Sequence, residues 1–154
     1  MNKCKIFGIL FGLFFCITIS ACGDGKGETG FVDGYYTAMM SDYSFGWKEY
    51  VTICVMDQKI VNVEYNARNK AGFIKSWDSA YMRNMNAVQG TYPNRYTRDY
   101  AAQLLQNQDE DEIDMLAGAT SSGGNFQKMA ASLLESAKSG DRAIQIIQSP
   151  EPEE

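Results

Sequence analysis

Tyr50-Val51-Thr52-Ile53-Cys54-Val55-Met56-Asp57-Gln58-Lys59-Ile60-Val61-Asn62-Val63-Glu64-Tyr65 is the stretch that decides the fold. Val51, Ile53 and Val55 alternate with polar or smaller residues, and Val61, Val63 and Tyr65 do the same further on. Period-two alternation marks strands with one buried face. Asp57-Gln58 between them reads as a two-residue hairpin turn, although it lacks the usual glycine. Upstream, Asp33-Gly34 opens a turn and the chain to Met40 continues as a strand. Asp42 to Gly46 reads as the loop into a second strand, Trp47 to Met56, and Lys59 to Tyr65 is the third. The three form an antiparallel meander.

Beyond Tyr65 the period changes. Phe73, Trp77, Tyr81 and Met85 recur every four residues, which predicts a helix capped by Ser76 and ending near Val88. Gly90 to Pro93 breaks the chain. A second helix is expected over Thr97 to Gln106, with Tyr100, Leu104 and Leu105 inward, followed by a polar connector from Asn107 to Glu112. Phe126, Met129, Ala130, Leu133, Leu134 and Ala137 then follow the i, i+3, i+4, i+7 pattern of an amphipathic helix. That helix is expected over Asn125–Ala137, with Ser121, Ser122 or Asn125 as its cap and Gly140 as its stop. Ala143 to Ile147 reads as one short strand. Strands first and helices after predict a single α+β domain, an antiparallel sheet with helices packed mainly on one face.

The N-terminus carries a different message. Lys3 and Lys5 precede an apolar run from Ile6 to Ile19, which leads to Ile19-Ser20-Ala21-Cys22. A basic start, a short apolar stretch and small residues at the cleavage point describe a secretory signal over residues 1–21. The string resembles the lipobox of bacterial lipoproteins, in which the cysteine is acylated before cleavage. Cys22 is therefore the expected lipidation site, carrying a palmitate-type acyl chain on the extracytoplasmic side of a membrane of the cell envelope. Residues 22–30 hold no apolar side chain after Cys22 and read as a flexible tether. The folded domain is expected over 31–148, and residues 149–154, rich in Pro and Glu, as a disordered tail.

Charge and cysteine content narrow the function. The signal holds two of the 14 basic residues and none of the 19 acidic ones, so residues 22–154 carry 12 basic against 19 acidic side chains, a net charge of −7. Such a chain is not expected to bind nucleic acid or anionic lipid surfaces. Cys4 and Cys16 leave with the signal and Cys22 takes lipid, so Cys54 has no partner and reads as a small buried core residue. There is no histidine. This removes a His general base, Ser-His and Cys-His pairs, and His-ligated metal or haem. No metal site and no catalytic residue is expected, and redox chemistry would need an organic cofactor.

Asp114-Met115-Leu116-Ala117-Gly118-Ala119-Thr120-Ser121-Ser122 is the segment that speaks to function. By itself it is a small-residue turn feeding a helix, whose N-terminal amides are a natural seat for phosphate. The part from Asp114 to Thr120 resembles the flavin-attachment motif of the FMN-binding domain family. Asp114, Gly118, Ala119 and Thr120 match, while Ala117 stands where the family has Ser or Thr. Asp33-Gly34 with Tyr36, Gly46-Trp47-Lys48-Glu49, Lys59-Ile60, and Lys75-Ser76-Trp77-Asp78-Ser79-Ala80-Tyr81 with Met85 are similar to other parts of that family. The last string is similar to a segment of one branch of small single-domain lipoproteins that includes major membrane immunogens.

The resemblance implies a membrane-anchored electron carrier, not a complete enzyme. FMN would be joined to Thr120 through a phosphoester by a separate flavin transferase, and electrons would pass between a membrane donor and an envelope acceptor. Asp114, Gly118, Ala119, Ser121 and Ser122 would surround the attachment point. Lys75 is either a partner for the phosphate or an ordinary surface lysine. Trp77, Tyr81 and Met85 either line a ring pocket or pack against the sheet. The alternative is a flavin-free envelope lipoprotein with a binding or antigenic surface, and Ala117 is the feature that favours it.

Overall fold

The computed structural model describes residues 30–150, so the signal, Cys22, most of the tether and the last four residues of the tail lie outside the described residues. The predicted meander is present. β1 (Gly34–Met40) pairs antiparallel with β2 (Lys48–Met56), and β2 with β3 (Lys59–Arg68). A fourth strand, β4 (Gln145–Ile147), joins β1 in parallel, giving the order β3-β2-β1-β4. Asp57 and Gln58 both adopt positive φ, 52° and 61°, the backbone of the hairpin turn whose twist matches its strands.

Val51, Ile53 and Val55 point into the core as their spacing requires. β3 keeps the expected face at Val63 and Tyr65 and departs from it at Val61. The ladder pairs Cys54 with Asn62 but Val55 with Ile60, leaving Val61 as an extra, bulged residue. The bulge reverses the alternation, so Ile60 is buried and Val61 is exposed, while Tyr65 keeps its inward place. The strand edge beside the bulge is closed by Gln108, whose side chain accepts from the Ile60 amide at 2.7 Å and donates to its carbonyl at 3.0 Å. β3 also runs three residues beyond Tyr65.

Three helices follow: α1 (Ser79–Gln89), α2 (Pro93–Asn107) and α3 (Thr120–Ser139). α2 packs on β3, and α3 on β1 and β2, from the same side of the sheet. Their meeting line is aromatic: Phe126 stacks on Tyr100 with centroids 5.7 Å apart and lies 4.8 Å from Tyr65. Each helix start differs from its predicted one. α1 is capped by Asp78, whose carboxylate accepts from the Tyr81 amide at 2.9 Å, whereas Ser76 lies in a separate single turn, Lys75–Trp77, and bonds Asn66. Pro93 begins α2 rather than ending what precedes it, because proline suits the first helical position, where no amide proton is needed. Leu105 is exposed, off the stripe of Tyr100 and Leu104. α3 starts five residues early, at Thr120, with Ala119 as its cap residue and no capping side chain. Its stop at Gly140, φ 74°, is as expected.

Cys54 is buried, as expected. Its place in β2 turns it away from the helices, onto the sheet's other face, beside Tyr35. Among the described residues no helix is long and apolar enough to cross a membrane.

Candidate functional site

The segment before α3 is held from below by α2. Gln103 accepts from the Asp114 amide at 2.6 Å and donates to its carbonyl at 3.3 Å. The Tyr100 hydroxyl accepts from the Leu116 amide at 2.9 Å and donates to the Ala119 carbonyl at 3.1 Å. Within the turn, the Ala119 amide donates to the Leu116 carbonyl at 3.0 Å. Gly118 has φ 78°, and a Cβ there would overlap the Gln89 carbonyl oxygen at the end of α1. Glycine is needed both for the backbone conformation and for the close approach. No side chain of residue 117 takes part, and Ala117 itself is exposed.

This rigid turn delivers Thr120 to the first position of a 20-residue helix. Thr120 is exposed, and its hydroxyl makes no hydrogen bond among the described residues. Its neighbours divide. Ser121 and Asp114 are also exposed, while Ala119 is buried and Gly118 half-buried. The first turn of α3 contains no acidic residue and no side-chain cap, so its free amides and the positive end of its dipole are unclaimed by a cap.

Ser122 turns the other way, into a buried polar cluster that sequence reading did not assemble. Glu49, on β2, is 8% exposed. Its Oε1 accepts from the Ser122 hydroxyl at 2.8 Å and its Oε2 from the Asn125 side chain at 2.7 Å. The Tyr65 hydroxyl lies 3.0 Å from Oε1 and 2.9 Å from the Ser122 carbonyl, sharing its one proton. The three side chains proposed as helix caps are thus corrected: Ser122 and Asn125 serve Glu49, and Ser121 faces solvent. A glutamate on an inward strand position, opposite a serine and an asparagine one turn apart, was the available signal.

Lys75 belongs to the same cluster and is not a surface lysine. It is buried, with its ammonium 4.9 Å from the Tyr81 ring centroid. Burial pulls this ammonium down, but Tyr96, Tyr81 and Glu49 outweigh that and hold it above its ordinary value. Burial pushes Tyr65 well above the usual tyrosine range, and Glu49 adds to the shift. Tyr96 is also raised, first by burial, while Lys75 opposes the rise. Of the aromatic candidates, Tyr81 packs edge-on against Trp47 at 5.9 Å and Met85 against the core. Trp77 is 68% exposed and touches Phe73. Trp77 and Tyr81 therefore do not face one another across a common pocket wall.

Comparison with known proteins adds relatives. No family profile matches the sequence. The chain is 31% identical over 133 residues to the 15 kDa lipoprotein of Treponema pallidum (strain Nichols), an alignment covering 86% of this chain and 92% of the relative. The crystal structure of the CPE2226 protein from Clostridium perfringens superposes with a TM-score of 0.74 at 31% identity, over 78% of this chain and 99% of that one.

Proposed function

Since this chain belongs to the family of the 15 kDa lipoprotein of Treponema pallidum, we propose that it is an envelope lipoprotein anchored through Cys22 that carries FMN on Thr120 and passes electrons. The anchor is supported by the relative's name and by the string Ile19-Ser20-Ala21-Cys22. The flavin reading rests on one observation: the Thr120 hydroxyl is exposed and unbonded at the uncapped start of α3, at the end of a motif-like turn braced by Tyr100, Gln103 and Gly118.

These residues fit a phosphoester. Amides at a helix N-terminus stabilise an anion, and a transferase needs an accessible acceptor oxygen on a fixed backbone. The braces are α2 side chains and the end of α1 acting on the turn's backbone, so an alanine at 117 leaves the turn standing. Thr120 has no base beside it and is an acceptor for another enzyme, not a nucleophile in its own reaction. Bound flavin supplies one- and two-electron chemistry, and the chain supplies position. Lys75 is committed to Glu49 and the tyrosines, and it acts on the site by fixing the cluster under the first turns of α3.

Co-expression with a flavin transferase, followed by intact-mass and peptide measurement, is the test. The expected product is one FMN less one water on the peptide containing Thr120, and none in Thr120→Ala, which still folds. No adduct under conditions that modify a known FMN-binding protein would leave the flavin-free lipoprotein as the reading.

A further inference from the structure

The helix-free face of the sheet holds a feature unrelated to Thr120. At one end of β2 and β3, Lys48 and Arg68 are cross-strand partners and share a face with Tyr50. With Tyr43, Lys70 and Glu49 they are among the residues lining a cleft of about 290 Å³. The chain is acidic, yet three of its basic residues converge here. Among the described residues none of the three forms an ion pair. Glu49 does not neutralise them, because its carboxylate is taken by Tyr65, Ser122 and Asn125 on the opposite side of the sheet.

The cations are held by rings instead. The Arg68 guanidinium stands 4.7 Å from the Tyr50 centroid, and the Lys48 and Lys70 ammonium groups stand 5.9 and 5.8 Å from the same Tyr43 ring. Rings attract cations without cancelling their charge. Both loops that carry these groups are braced. Ser44 and Trp47 exchange backbone hydrogen bonds of 2.8 and 2.9 Å around Phe45 and Gly46, just after Tyr43. The Asn69 side chain accepts from the amides of Ala71 and Phe73 at 2.9 and 3.0 Å, which braces the loop that carries Lys70.

We infer that the cleft of Tyr43, Lys48, Tyr50, Arg68 and Lys70 is a binding site for a small phosphate ester. An arginine fork flanked by two ammonium groups suits a compact oxyanion, and guanidinium pairs with phosphate through two parallel hydrogen bonds. The volume sits at the lower edge of small-molecule pockets, about 300 Å³, which admits a phosphate with a short organic group. The ester is either a soluble metabolite or the headgroup of a lipid.

The test uses the full chain in neutral detergent, titrated calorimetrically with glycerol 3-phosphate and, separately, with dihexanoyl phosphatidylglycerol. Saturable binding is expected for at least one, weakened about tenfold or more by Arg68→Gln and by Lys48→Gln with Lys70→Gln. All three side chains are partly or fully exposed, and thermal melts of the variants should match the parent. Lys128→Gln, an exposed lysine on α3, should change affinity less than about twofold. Tighter binding of the soluble ester assigns the site to a metabolite, and tighter binding of the lipid assigns it to a headgroup. No saturable binding of either, or equal losses in Lys128→Gln, overturns the inference.

Discussion

α1 and α3 both carry apolar side chains at helical spacing, yet their fates are opposite. α3 buries eight residues, among them Phe126, Met129, Leu133 and Leu134, against the sheet and α2. α1 buries none. The difference lies in the width of the stripe. α3 repeats at i, i+3, i+4 and i+7, which covers a broad face. Phe73, Trp77, Tyr81 and Met85 recur only every four residues, a narrow row that a single contact can satisfy, and half of that row lies before the helix begins. α1 is therefore held at a few points, by Asp78 and the Gly118 contact at its ends and by Tyr81 on Trp47 and Met85 on the core between them, and α3 along its length.

Leu133→Ala should hurt most, by about 2–5 kcal/mol, because it empties space in a core that cannot close fully. Urea unfolding measures it, and a loss below about 1 kcal/mol would erase the contrast between the helices. Glu49→Ala comes next, at about 1–3 kcal/mol, since Ser122 and Asn125 lose their acceptor while Tyr65 keeps the Ser122 carbonyl.

The same cluster makes stability depend on pH. Lys75, Tyr65 and Tyr96 all have folded-state values above their ordinary ones, so the folded chain holds more protons than the unfolded chain at alkaline pH. Their contribution is present in full below the ordinary tyrosine value of 10.0 and is lost as pH rises through the folded values. Melting temperature should fall on going from pH 9 to 11 (about one unit either side of that value), and Tyr65→Phe should flatten the fall. The smallest effect belongs to α1. Asp78→Ala should cost about 0.5–2 kcal/mol, seen as faster hydrogen exchange confined to the amides of residues 79–82, with α3 unaffected.

The layered fold was legible from alternation and helical spacing alone, because both report burial directly. What escaped were features made by contacts distant in sequence. The Val61 bulge is invisible to a pattern that fits Val61, Val63 and Tyr65 equally well in an unbroken strand. Ser122 and Asn125 look like caps until Glu49, more than seventy residues away, is folded beneath them. Lys75 reads as either a phosphate partner or a surface residue because nothing near it in sequence hints at Tyr96 and Glu49. At the motif itself, sequence identified Gly118 as a turn residue, and the fold adds the second reason, the Gln89 carbonyl against it.

β1 has a neighbour on each side, β2 antiparallel and β4 parallel, and it is the strand into which the N-terminal segment runs. Just ahead of it, the Val32 amide donates to the Ala137 carbonyl at 2.8 Å and Arg142 donates to the Asp33 carbonyl at 2.9 Å. If the domain is tethered through Cys22, as proposed above, drag on it would reach the chain just ahead of β1. Both ladders would carry that load together, in shear, instead of opening one rung at a time. Under such a tether, rupture would depend on how fast the whole domain unfolds.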